Sequence, residues 1–181
     1  MLCAICQGVF SYGFFRASVV GESMVPSFEN DDSLIVRSSN KNIKHFDIVV
    51  AVIDKDNRNY TVVPEDELLI KRAIGLPGDH IEFHGGKLYI NGIEYYEPYI
   101  ATHSDTQNKI NLEISLGKGV ELIDGEYVIS EGYYFIMGDN RGKSSDSRTF
   151  GLFKEEQIIG VVKYRLHGIF NWEKIENPFE N

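Results

Sequence analysis

Residues 46 to 53 read Phe-Asp-Ile-Val-Val-Ala-Val-Ile, a nearly continuous β-branched run that fits a strand buried on both faces. Similar short runs recur at residues 14–20, 33–37, 68–74, 133–137 and 157–167. Glycine, proline, asparagine and aspartate separate them, and Gly85-Gly86 between residues 80–83 and 87–92 marks a hairpin. There are no internal repeats. The pattern predicts a mainly β domain of barrel or coiled-sheet type, with little helix.

The chain's 181 residues are enough for one buried core with a small β subdomain inserted in it. An apolar content of 43% with only 5 prolines describes a globular domain, not a disordered one. A net charge of −9 speaks against nucleic acid as a partner, because neutralising phosphates requires a basic surface. Cys3 and Cys6 both lie in the first six residues, so the rest folds without a disulfide or thiolate metal site. With no second Cys pair and no βαβ pattern around them, they read as apolar residues of a hydrophobic leader.

That leader, residues 1–20, is apolar but broken by Gln7, Gly8, Ser11, Gly13 and Arg16. It falls short of the ~20 apolar residues that span a bilayer, and it lacks the basic start and small-x-small site of a cleavable signal peptide. Residues 29–32 read as a solvated acidic turn. Residues 54–65 resemble a calcium loop only faintly, because the required glycine is missing; a polar hairpin loop fits better. His80 and His84 would stand roughly 13 Å apart on a strand, and His45, His103 and His167 are scattered. Neither a zinc site nor a Ser-His-Asp triad is indicated, and no metal or cofactor is expected.

Two features suggest chemistry. Ser23 lies in Gly21-Glu22-Ser23-Met24-Val25-Pro26-Ser27-Phe28, directly behind the 14–20 run. Glycine permits a sharp turn and proline stops the strand from continuing, so Ser23 is presented on a strand-end turn. Alone, such a serine is usually a turn residue bonded to its own backbone. Lys71 lies in the 68–74 strand, where alternation groups it with Leu69 and Ala73, opposite Leu68, Ile70, Arg72 and Ile74. A lone strand lysine is usually an edge charge, but an amine among small or apolar neighbours can be desolvated.

The 21–27 segment, Leu69-Ile70-Lys71-Arg72-Ala73-Ile74-Gly75-Leu76-Pro77-Gly78-Asp79 and Gly138-Asp139-Asn140-Arg141-Gly142-Lys143-Ser144-Ser145-Asp146-Ser147-Arg148 resemble, in order, the boxes of the type I signal peptidases. The 46–53 run resembles a further box, with Phe46 where glycine is usual. Glu97-Pro98-Tyr99 and Gly151-Leu152 resemble two more short elements, so the resemblance spans about residues 14–165. It implies a coiled antiparallel sheet or barrel core, with a smaller β-rich subdomain inserted at about residues 80–130. Residues 1–13 are expected to be a leader or truncated membrane anchor, 14–173 the catalytic domain, and 174–181 a tail.

The resemblance assigns Ser23 as nucleophile and Lys71 as general base of a serine endopeptidase that removes signal peptides from exported preproteins. It places Ser144 in a hydrogen bond to the Lys71 amine, pairs Asp146 with Arg72 or Arg148, and has Asp146 and Arg148 hold the site geometry. The Ser23 N–H is the expected oxyanion donor. Gly21 stands where one branch of the family carries a serine as second donor, so this chain is most like the Gram-positive form. Cleavage is expected after Ala-x-Ala sites, with Val19, Val20, Leu34 and Ile70 lining shallow pockets. The partners implied are exported preproteins and the membrane surface, met through Phe10, Tyr12, Phe14 and Phe15, on the extracytoplasmic face of the cytoplasmic membrane. Two other readings exist: a self-cleaving Ser/Lys repressor-type protease, for which 22 residues leave no preceding domain, and a non-catalytic homologue that binds substrates or assists pilus assembly.

Overall fold

The computed structural model describes residues 13–54, 57, 67–100, 118–168 and 171–179, and the backbone of 4–10. One large antiparallel sheet contains β1 (Ala4–Phe10), β2 (Phe14–Val19), β3 (Ser33–Arg37), β4 (Ile48–Val52), β5 (Leu68–Gly75), β11 (Tyr133–Met137), β12 (Phe153–Lys154), β13 (Ile158–His167) and β14 (Asn171–Lys174). Their spatial order is β1-β2-β3-β13-β4-β5-β11-β12, with β14 also on β13. Two smaller sheets hold β6 (Ile81–His84), β7 (Lys87–Ile90) and β8 (Ile93–Tyr95), and β9 (Val120–Ile123) with β10 (Glu126–Ile129). Among the described residues, helix is confined to a single turn, α1 (Ser147–Phe150), and a 3₁₀ turn at Glu155–Gln157. The mainly β, coiled-sheet expectation holds, and the sheet is open.

The sheet's order follows from burial. β4 and β5 are almost wholly buried, as continuous apolar strands must be. β5 alternates as its sequence predicts: Leu69 and Ala73 join one apolar cluster, and Ile70 joins a second with Ala17, Val19, Leu34, Val36 and Val50. A third cluster, built on Phe46, Ile74, Ile81, Phe83, Leu88 and Phe135, fixes the three-stranded sheet to the main one. β13 pairs with β3 along one edge and with β4 and then β14 along the other.

Several local readings change. Residues 94–126, in which no strand run was named, contain part of the β9–β10 hairpin. Its turn, Asp124-Gly125, takes the left-handed backbone (φ 52° and 89°) that an Asp-Gly hairpin turn requires. β1 pairs with β2 from within the stretch read as leader. Phe15, expected at a membrane interface, is buried in the core because β2 alternates. The tail is packed onto the sheet: Ile175 N–H donates to Lys163 O at 2.9 Å, Asn177 Nδ2 donates to His45 O at 2.7 Å, and the Phe179 ring lies 4.1 Å from that of Phe46. Phe46 has φ 68°, which explains why glycine suits its position. Most of residues 54–65 and His103 lie outside the described residues, as do the Phe10 side chain and Tyr12. Among the described residues no helix is long and apolar enough to cross a membrane.

Candidate active site

β2 ends at Val19 and hands the chain to a turn. Gly21 takes φ 90°, its N–H donates to Asn30 Oδ1 at 2.8 Å, and Ser23 follows on the turn's far side. β5 reaches the same place from across the sheet, with Val49 opposite Lys71 and Ile48 opposite Arg72. Lys71 is 0% exposed, and its Nζ lies 2.8 Å from Ser23 Oγ. Nζ also donates to Ile70 O at 2.9 Å. Residues 48 apart in sequence thus meet in a hydroxyl–amine pair with its amine removed from water.

The turn after β11 backs this pair. Asp139 accepts from Arg72 through both oxygens and from Ser27 Oγ at 2.6 Å. Asp146 is fully buried and N-caps α1; its oxygens accept from Arg148 Nε and Nη2, both at 2.8 Å, and from Gly138 N–H at 3.0 Å. Burial works against ionising the Asp146 carboxyl, but Arg148 and the Gly138 amide hold it below the ordinary carboxylate range. Of the two pairings expected for Asp146, Arg148 is the one formed; Arg72 belongs to Asp139.

Ser144 differs from expectation. Its buried Oγ makes no hydrogen bond to the Lys71 amine, contrary to expectation. The hydroxyl packs over Gly138 instead: a Cβ on Gly138 would lie 2.2 Å from Ser144 Oγ and 2.5 Å from Ser23 O. Three of the four expected substrate-lining residues are also displaced. Val19, Leu34 and Ile70 are 3%, 0% and 1% exposed and belong to the core beneath the site, because they occupy the inward positions of their strands. Val20 alone is half-buried.

A second buried group stands behind Arg72. The Arg141 guanidinium donates to both oxygens of Glu97 and, through Nε, to Gly138 O at 3.1 Å. Tyr99 OH donates to Glu97 at 2.8 Å, and the Tyr99 ring lies under the Arg72 guanidinium at 4.0 Å. Burial, with the Glu97 charge, pushes the Tyr99 phenol far above its ordinary value, so it remains a donor. The sequence reading recognised Glu97-Pro98-Tyr99 and gave it no role; its 44-residue separation from Arg141 carries no local signal. Among the described residues no cluster of three or more His, Cys, Asp or Glu is arranged to hold a metal ion.

A buried lysine beside a serine, with a paired Arg-Asp behind it, is an arrangement in which an amine can serve a hydroxyl nucleophile. The profile of the family described as signal peptidase, peptidase S26, matches residues 1–167. The chain belongs to that family. Its relatives include signal peptidase I of Bacillus caldolyticus, 35% identical over 84% of this chain and 79% of that one, and signal peptidase I of Streptococcus pneumoniae, 34% identical over 82% and 79%. Signal peptidase IB of Staphylococcus aureus is 30% identical over 89% and 82%. A crystal structure of a signal peptidase I from Enterococcus faecalis V583 superposes with TM-score 0.50 and 32% identity, covering 68% of this chain and 98% of that one. As a member of the S26 family the chain is a serine endopeptidase.

Proposed function

We propose that this chain, whose family removes signal peptides from preproteins, does so through a Ser23 nucleophile and a Lys71 general base, cutting after small-x-small sites such as Ala-x-Ala. The observation that carries the reading is the 2.8 Å approach of Lys71 Nζ to Ser23 Oγ at a fully buried amine. A serine nucleophile needs a partner to take its proton, and the Lys71 amine is the group within hydrogen-bond reach of its hydroxyl.

In this reading Lys71 Nζ takes the Oγ proton as Ser23 attacks the scissile carbonyl, giving a tetrahedral oxyanion. Collapse of that intermediate breaks the C–N bond, and the ammonium returns the proton to the leaving amine. Water, deprotonated by the same amine, then attacks the acyl-enzyme and frees Ser23. The Ser23 N–H stabilises the oxyanion; a single such donor is worth roughly 3 kcal/mol. Asp146 and Arg148 hold the 138–148 turn, and Arg72 braces the strand that bears the base. The substrate adds as an extended strand, with its small side chains beside Val20. Such sites emerge at the extracytoplasmic face of the cytoplasmic membrane, where the reading locates the domain. A non-catalytic homologue would lack the nucleophile or the base, and both are present here.

The test is cleavage of a preprotein with an Ala-x-Ala site, in detergent or lipid, by the wild type, Ser23→Ala and Lys71→Ala across a range of pH. Cutting after the second Ala that rises with pH and vanishes in both variants is the expected result. Full activity in Lys71→Ala would refute the assignment of the base.

A further inference from the structure

The peptide that joins Glu22 to Ser23 is held by its oxygen. Asn140 Nδ2 donates to Glu22 O at 3.0 Å, and Val25 N–H donates to the same oxygen at 3.2 Å, closing a turn around Ser23. The following peptide is held as well, because Asn140 N–H donates to Ser23 O at 3.0 Å. One residue therefore grips both carbonyls that flank the nucleophile's Cα.

Asn140 is itself firmly placed. Asp139 before it is locked to Arg72 and Ser27, and Arg141 after it is locked to Glu97. Lys143 N–H donates to Asn140 O at 3.0 Å, and the Lys143 ammonium reaches the Glu22 carboxylate at 2.6 Å. The amide group that meets Glu22 thus projects from a turn with buried ion pairs on either side.

A trans peptide is planar, with its C=O and N–H pointing in opposite directions. Holding Glu22 C=O against Asn140 therefore fixes the direction of the Ser23 N–H, the donor that the proposed reaction uses for its oxyanion. We infer that Asn140 is a positioning residue for oxyanion stabilisation: its side-chain amide sets the 22–23 peptide so that the Ser23 N–H, and not the Glu22 carbonyl, faces the developing charge. This deepens the dyad reading and rests on it. Gly21 sharpens the need, since it has no hydroxyl to offer and its own N–H is committed to Asn30. A flip of the 22–23 peptide would present a carbonyl oxygen to the oxyanion, and Asn140 and Val25 together resist it.

A donor that engages the oxyanion more strongly than the ground-state carbonyl affects kcat and leaves substrate binding nearly unchanged. Losing a direct oxyanion donor costs about 10²–10³ in kcat, and an indirect orienting contact is expected to cost about tenfold. The experiment measures wild type, Ser23→Ala, Asn140→Ala and Asn140→Asp on the same Ala-x-Ala preprotein. It also measures inhibition by a peptide aldehyde ending in Ala, whose adduct with a serine carries the oxyanion, and by the product peptide with a free carboxylate. The expected result for both Asn140 variants is a kcat lower by about tenfold with KM within about twofold, and a pH profile in the wild-type position. Aldehyde affinity should fall by the same factor as kcat, and product affinity should be unchanged. Asn140→Asp keeps the size and the backbone N–H but presents an acceptor to Glu22 O, so it reports even if Asn140→Ala misfolds. An unchanged kcat would overturn the inference and leave the Val25 turn as sufficient. Equal losses in KM, product affinity and aldehyde affinity would overturn it in favour of a general structural role. An inert wild type or an active Ser23→Ala would overturn the dyad reading itself, and the inference with it.

Discussion

Arg72 donates to both carboxylate oxygens of Asp139, at 2.9 and 2.6 Å, and neither side chain is more than 4% exposed. The pair ties β5, one residue from Lys71, to the turn that grips Ser23, so it fastens the two halves of the site from behind. Removing one partner leaves a buried charge uncompensated, a loss of about 3–5 kcal/mol. Asp139→Asn is therefore expected to lower the melting temperature by roughly 10 °C, measured by calorimetry. A change of only a degree or two would mean that the pair contributes little.

Lys71 is 0% exposed, and if its burial serves the proposed chemistry, that burial should cost stability. Lys71→Met keeps the length and removes the polar head, and replacing buried polar groups with apolar ones of similar shape is often neutral or stabilising. The variant should show no cleavage and a melting temperature at or above that of the wild type. A large drop in melting temperature would show that the amine is a structural link.

Gly138 has no room for a side chain. A methyl group there would meet Ser144 Oγ at 2.2 Å and the Ser23 carbonyl at 2.5 Å, and the carbonyl cannot yield without moving the nucleophile. Gly138→Ala is expected to reduce kcat/KM by at least about tenfold, with destabilisation of about 1–3 kcal/mol from overpacking. Pairing it with Ser144→Ala removes the hydroxyl contact alone. Activity in the double variant should recover only in part, because the contacts with Ser144 Cβ and Ser23 O, both at 2.5 Å, remain.

Asp146 and Asp79 should set the acid limit. Burial opposes the Asp79 carboxylate, but His45, the Leu76 N–H and Asn91 outweigh it and hold the group below its ordinary value, as Arg148 and the Gly138 amide do for Asp146. A carboxyl so depressed contributes fully above the unfolded value of 3.8 and loses that contribution as pH falls through the lower folded value. The stability gap between wild type and Asp146→Asn, read from urea midpoints, should therefore be widest near neutral pH and narrow below about pH 4. A gap independent of pH would contradict the assignment.

What was legible in the sequence was what repeats locally or sits in a compact motif. The alternation of β5, the Gly85-Gly86 hairpin and the Ser23 and Lys71 boxes all declare themselves within a dozen residues. Long-range partners do not: nothing near Glu97 announces Arg141, and nothing near Phe46 announces Phe179. Asn140 lay inside a recognised box, yet its role depends on where its amide reaches, which spacing cannot express. Val19, Leu34 and Ile70 were drawn toward the substrate by closeness to the dyad in sequence, whereas strand alternation turned them into the core. The Asp124-Gly125 turn carries a hairpin signal of its own, with Val120-Glu121-Leu122-Ile123 and Glu126-Tyr127-Val128-Ile129 on either side.

β13 stands between β3 and β4 in the sheet, so the half that bears Ser23 and the half that bears Lys71 are neighbours through a strand made of residues 158–167. A ribosome delivers the nucleophile first, the amine some fifty residues later and this joining strand after nearly ninety more. Between residues 71 and 158 the nascent chain holds Ser23 and Lys71 without the strand that lies between their halves of the sheet. In the proposed mechanism the dyad's alignment therefore waits on a strand made late in translation.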